Sequence, residues 1–203
     1  MKGNNNLSLN KNIDNIINNI NERNPIKLRD NTPQILVNNG VQNLPMYENP
    51  SHVRKNILTV DKAKKLGLKV NKKDHYHGLG KEIYIKVINS LDNPRAIFRN
   101  KNNIKEYLIL SQIKDNNKNT IIVPIEVETI TYVNNEKIEI NRIKSIYGYG
   151  RKKPDLNKFI KYNIKNSKIK KIYEKKKPST NITSQSASND SIASSNNNVN
   201  TIN

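Results

Sequence analysis

The chain has 203 residues, no cysteine, and 36 Lys and Arg against 17 Asp and Glu, a formal net charge of +19. The lack of cysteine excludes a disulfide framework and any thiolate metal site, and no apolar run approaches the ~18 residues of a membrane-spanning helix. Hydrophobic residues make up only 34%, too few for a packed core along the whole length, so part of the chain is expected to stay loose.

Residues 1–43 are polar and Asn-rich, without the apolar stretch of a signal peptide, and suggest a soluble protein of a reducing compartment. Within them Ile13, Ile16, Ile17 and Ile20 recur at i, i+3, i+4, i+7. That spacing predicts a short amphipathic helix, weakened by asparagine. The segment reads as a linker, or as the remnant of a larger upstream protein.

Residues 44–177 read as the domain. Ser51 is placed to cap a helix carrying Val53, Ile57 and Leu58. Thr59 is placed to cap a second helix that ends at Gly67. A histidine-bearing loop, KKDHYHGLG (72–80), follows, and then a helix from Lys81 to Leu91, stopped by Asn93-Pro94. From there the period changes to that of strands: RAIF (95–98), EYLILSQI (106–113), TIIVPIEVETITYV (120–133) and EKIEINRIKSIY (136–147). DNNKN and VNNE supply the turns, and Pro124 is expected at an edge or a bulge. Pro154 suits the first turn of a helix bearing Leu156, Phe159, Ile160 and Ile164. KIKKIY (168–173) can return as an edge strand. Helices followed by a mostly antiparallel sheet, a helix and a strand make an α+β fold. Residues 178–203 are Ser, Asn and Thr with one acid and no base, and are expected to be a disordered tail.

The charge is clustered. From Arg142 to Lys177 there are 14 basic and 2 acidic residues, a net +12 within 36 positions. An overall bias toward lysine raises the total but does not gather it in one segment. Such a stretch fits a polyanion, nucleic acid first.

Two of the three histidines, His75 and His77, sit in the glycine-flanked loop. They admit three roles. As metal ligands they lack a third partner, because Asp74 is too close in sequence to serve. As plain polar residues they would cap the next helix. As acid or base they would shuttle a proton near neutral pH. His52, near a helix start, reads as a surface or capping residue. At the far end of the domain, NRIKSIYGYGRKK (141–153) gathers cations and hydroxyls. Lys144 or Arg142 can stabilise charge on phosphorus, Ser145 and Tyr147 can donate to phosphate oxygen, and a tyrosine can stack a base. A solvated or packed strand end is the alternative for these residues. Arg151, Lys152, Lys153 and Lys161 are candidates for backbone phosphate contact. Imidazoles, a cation and hydroxyls without a cofactor or metal suit RNA cleavage by internal 2′-OH attack. A nucleic-acid or protein-binding module without catalysis suits the same residues.

Several stretches, in this order, resemble the phage MuF C-terminal domain family: DHYHGLGKEIYIKVINSLDNPRAIFR, YLILSQIKDNNKNTIIVPIEVET, INRIKSIYGYG, LNKFIKYNIKN and KIYEKKK. The resemblance covers about residues 44–177, with the HxHGLG loop, the DNP helix stop and KSIYG as its most specific parts. It implies a barnase–EndoU–colicin–RelE-like nuclease fold, with N-terminal helices packed on a twisted antiparallel sheet. It further implies a toxin-like, phage-encoded ribonuclease that acts in the host cytoplasm, with a cognate inhibitor or a phage head protein as partner. By motif the working residues are then His77 and His75 in the loop, and Lys144, Ser145 and Tyr147 at the strand end. Such domains close long phage proteins, whereas this sequence starts at its own Met1, which reads as a detached fragment.

Overall fold

The computed structural model describes residues 3–71, 75–150 and 155–175. In chain order they form α1 (Gly3–Asn18), β1 (Ile26–Arg29), α2 (Gln34–Val37), β2 (Met46–Glu48), α3 (Pro50–Ile57), α4 (Val60–Lys65), α5 (Lys81–Ser90), β3 (Ala96–Asn100), β4 (Glu106–Lys114), β5 (Thr120–Val133), β6 (Glu136–Ile143), β7 (Tyr147–Gly148), α6 (Leu156–Lys165) and β8 (Ile169–Glu174). The strands join in the order β1-β2-β6-β5-β4-β3-β8, with β7 beside β5. Every pairing is antiparallel except β2 with β6. This is the α+β fold expected from the sequence.

Alternation along the strands sorts the side chains onto two faces, because neighbouring residues point to opposite sides. Ile97 pairs with Ile109, and Ile109 with Val123. These three face the main core, where they meet Leu9, Ile13 and Ile16 of α1, Val53 and Ile57 of α3, and Tyr84, Val87 and Ile88 of α5. Their neighbours Ala96, Phe98, Leu110 and Ile122 face the other side, where Leu156 and Ile160 of α6 cover them. The predicted last strand, β8, lies at the sheet edge beside β3.

The N-terminal segment packs more closely than its composition suggests. Leu9, Ile13 and Ile16 of α1 are buried, Ile17 is partly so, Ile20 lies beyond the helix, and β1 lies in the sheet. Each buried Leu or Ile contributes about 2 kcal/mol, against roughly 0.5–0.7 kcal/mol lost per asparagine in a helix. Three buried side chains therefore offset a weak helical sequence. Arg54 of α3, buried in the core, secures the helix further. Its guanidinium donates to the carbonyls of Ile16 (2.9 Å), Asn19 (2.7 Å) and Glu22 (3.1 Å). Carbonyls at a helix C-terminus have no partner within the helix, and a cation there also complements the dipole.

Local signals explain the ends of the elements. Asn49, not Ser51, is the N-cap residue of α3, because Pro50 takes the first helical position, where its missing N–H costs nothing. Thr59 caps α4 through Lys62 N–H, and Gly67 follows the helix at φ +69° with Leu68 N–H bonded back to Ala63. Asn134 and Asn135, at φ +49° and +68°, form the β5–β6 turn. Pro124 lies on an interior strand, not at an edge. The partner of β5 changes there from β6, at Ile125–Ile143, to β7, at Ile122–Tyr147. Pro124 therefore faces the break between two partners, where a missing donor disrupts no ladder. Pro154 and residues 178–203 lie outside the described residues.

Candidate functional site

An open cleft of about 1320 Å³ runs between α3, the histidine loop, the β4–β5 turn and the β6–β7 strand end. It is lined by all three histidines, His52, His75 and His77, and by Arg142, Lys144, Ser145 and Tyr147. Six of the residues expected from the sequence thus share one wall-to-wall space. Lys161 lies exposed on α6 and does not line the cleft. Arg151, Lys152 and Lys153 lie outside the described residues.

The loop reaches the cleft because it is fastened to α3. His77 and Gly78 donate their N–H groups to the Lys55 carbonyl, each at 3.0 Å, and Leu79 donates to Asn56 at 2.6 Å. The last carbonyls of α3 thus find partners in the loop. The Tyr76 hydroxyl donates to the Leu58 carbonyl at 2.7 Å. Gly78 sits at φ +58°, and an added Cβ would lie 2.6 Å from that hydroxyl oxygen, so a side chain here strains the turn. The imidazole of His77 then stacks on the Tyr147 ring, with centroids 5.2 Å apart. Neither loop histidine caps α5, whose N-cap is Gly80.

The opposite wall is built by β5, β6 and β7. Lys144 N–H donates to the Pro124 carbonyl at 2.9 Å, which holds the chain as it leaves β6. Burial, with Tyr149 nearby, raises the Tyr147 phenol, which stays a hydrogen-bond donor at neutral pH. The cations are not bare. Lys144 Nζ meets Glu106 Oε1 at 2.7 Å, and Arg142 meets Glu126 Oε2 at 3.3 Å. The hydrogen bond from Lys144 holds the Glu106 carboxyl below its usual range. The Asp115–Asn119 turn closes one end of the cleft. Asp115 presses so tightly on Gly148 that a Cβ there would lie 2.0 Å from the carboxylate.

His52, expected from the sequence as a surface or capping residue, is half-buried and lines the cleft from α3. Asn49, His52 and Asn56 follow helical spacing and form the cleft face of α3, while Val53 and Ile57 point to the core. The Lys144 backbone faces the His52 ring and favours its protonated form. Burial holds its imidazole below the usual range, with Lys55, His75 and Arg142 adding to the effect. Behind this face, Glu48 is fully buried. It accepts from Asn56 Nδ2 at 2.8 Å and from the Tyr84 hydroxyl at 2.5 Å, and burial pushes its carboxyl up to about 8. The signal for His52 was its position three residues after Asn49 on the same helical face. Without the fold, nothing in the sequence brings that face to β6.

Among the described residues, no group of three or more His, Cys, Asp or Glu side chains is arranged to hold a metal ion. Nor is any helix among them long and apolar enough to cross a membrane. Asp74, the acid nearest the loop histidines, lies outside the described residues.

Neither the curated proteins nor the solved structures gave a match. The family model of the phage MuF C-terminal domain matches residues 68–181, which include the histidine loop, the β4–β5 turn and the β6–β7 strand end, though not α3. The chain belongs to the phage MuF C-terminal domain family.

Proposed function

We propose that this domain is a metal-independent endoribonuclease related to the barnase–EndoU–colicin–RelE-like nucleases. The observation that carries the proposal is the cleft, which gathers three imidazoles, two lysines, an arginine and three hydroxyls around one space. Internal cleavage of RNA needs a base, an acid and a group that steadies the phosphorus centre, and these residues can supply all three. An imidazole removes the proton from a ribose 2′-OH. The 2′-oxygen attacks phosphorus, and the P–O5′ bond breaks. A protonated imidazole returns a proton to the leaving 5′-oxygen, and a 2′,3′-cyclic phosphate remains. In this reading His77 is a proton-transfer group, with His75 beside it at the cleft rim. Lys144 and Arg142 stabilise the charge on the pentacoordinate phosphorus, and Ser145 and Tyr147 donate to its oxygens. Arg151, Lys152, Lys153 and Lys161 extend the phosphate track along the single strand.

Such an enzyme would be toxic to a host cytoplasm. A phage head protein carrying it with the virion, or an inhibitor covering the cleft, would then be its natural partner. The test is total bacterial RNA incubated with the protein in EDTA, with wild type beside His77→Ala. Cleavage by wild type alone supports the reading. Intact RNA in both lanes, still shifted on a gel, points to a nucleic-acid-binding module. In either reading a substrate phosphate must displace or share the partners of Lys144 and Arg142, which are paired with Glu106 and Glu126.

A further inference from the structure

We propose that His52, on α3, is the general base of this cleft, and that His77 on the facing loop is the acid. The inference rests on the ribonuclease reading and assigns a residue outside the matched family segment.

Three observations on the cleft carry it. First, His52 lines the same space as His77, Lys144 and Ser145, but from a different element. Base and acid in this reaction act on opposite sides of phosphorus, so they must come from separate walls. His75 and His77 share one loop, and His75 is exposed at φ +57°. Second, the Lys144 backbone faces the His52 ring, which sets that ring beside the residue proposed to meet the phosphate. A ring nitrogen turned to the carbonyl there as a donor leaves the other nitrogen of the neutral ring as an acceptor, as a base requires. Third, burial favours the neutral form of His52 over the opposing effect of the Lys144 backbone, and the cationic groups facing it add to burial. Lys55 on its own helix, His75 on the loop and Arg142 on β6 are all positive or can become so, and the ring is half-buried. The acids of the cleft, Glu126 and Asp115, lie on β5 and the β4–β5 turn, and Glu126 is paired with Arg142.

The proton balance is complete. The 2′-OH proton moves to the acceptor nitrogen of His52, O2′ bonds to phosphorus, and the P–O5′ bond breaks. His77 delivers a proton to O5′, which leaves as a hydroxyl.

The alternative is that His52 only ties α3 to β6. Two variants separate the roles. In His52→Asn and His52→Gln the amide keeps a donor for the Lys144 backbone, near the position of one or the other ring nitrogen, but cannot act as a base. Cleavage of a single-stranded RNA in EDTA, binding of its 2′-O-methyl analogue, and thermal unfolding are measured for each. The expected result is a loss of about 100-fold or more in cleavage for both variants, with binding and unfolding unchanged. The acid limb of the wild-type pH profile should disappear with His52, and added imidazole should restore part of the activity of His52→Ala. If either amide variant cleaves within about threefold of wild type, His52 is a structural tie, while the ribonuclease reading stands. If binding or folding is lost together with cleavage in both amide variants, the base assignment also fails. If wild type itself leaves RNA intact, the ribonuclease reading and this assignment fall together.

Discussion

His77 and Tyr147 face each other as stacked rings, with centroids 5.2 Å apart and planes inclined by 24°. One belongs to a loop and the other to the short strand β7 beside β5, so the stack joins two walls of the cleft across 70 residues of chain. Offset aromatic pairs contribute about 0.5–1.5 kcal/mol beyond the area they bury. Tyr147→Ala should therefore release the loop, lower the thermal midpoint and reduce RNA cleavage about tenfold or more. Tyr147→Phe keeps the stack and should fold like wild type, so any activity it loses reports the hydroxyl. Melting curves and cleavage rates for the two variants check both parts.

A side chain at Gly78 strains the loop. Its φ of +58° and the Tyr76 hydroxyl, 2.6 Å from an ideal Cβ, both oppose substitution. Gly78→Ala should cost about 1–3 kcal/mol in denaturant unfolding and reduce cleavage. If the steric term dominates, the double variant Gly78→Ala/Tyr76→Ala should recover part of that loss.

Glu48 makes stability depend on pH. Burial raises its carboxyl from about 4.5 in the unfolded chain to about 8 in the fold. Between those values the folded state holds a proton that the unfolded state has released. The contribution is therefore fully present below about 4.5 and is lost as pH rises through about 8. Denaturant unfolding at about pH 5 and about pH 9 should show the wild type more stable at the lower value. Glu48→Gln should flatten the difference.

Arg54 tests the docking of α1. Its three hydrogen bonds, to carbonyls in the last turn of that helix and in the segment just after it, are made from within the core. Arg54→Ala removes all three donors at once and should cost about 3 kcal/mol. Hydrogen exchange should then rise first in residues 8–18. A loss spread evenly over β3–β6 would contradict the account of α1.

Salt dependence separates phosphate binding from chemistry. Lys158, Lys161 and Lys165 are exposed on α6, within the most basic part of the chain. Log affinity for RNA should fall linearly with log salt. Neutralising the three lysines should make that slope shallower, by about one for each phosphate they had neutralised. The rate of bound RNA cleavage should change little.

The elements with strong local periodicity were legible in the sequence. The four long strands, the turns at DNNKN and VNNE, α5, and the Thr59 and Gly67 signals all follow rules that span a few residues. The N-terminal helix was legible as a helix but not as part of the core, because burial of Leu9, Ile13 and Ile16 depends on partners far along the chain. The cleft was half legible. Its loop and strand end carry marked motifs, whereas His52 and Asn56 look like ordinary helix surface until α3 is placed beside β6. The ion pairs Lys144–Glu106 and Arg142–Glu126 were equally hidden, since cross-strand partners follow from register and not from sequence distance.

The central claim is that the cleft cleaves RNA through its 2′-hydroxyl. The most direct measurement compares a single-stranded RNA with a DNA of the same sequence, in EDTA, followed by analysis of the product ends. The account predicts cleavage of the RNA alone, with 2′,3′-cyclic phosphate on the upstream fragment and a 5′-hydroxyl on the downstream one. Equal cleavage of the DNA, a 5′-phosphate end, or no cleavage of either strand would contradict it.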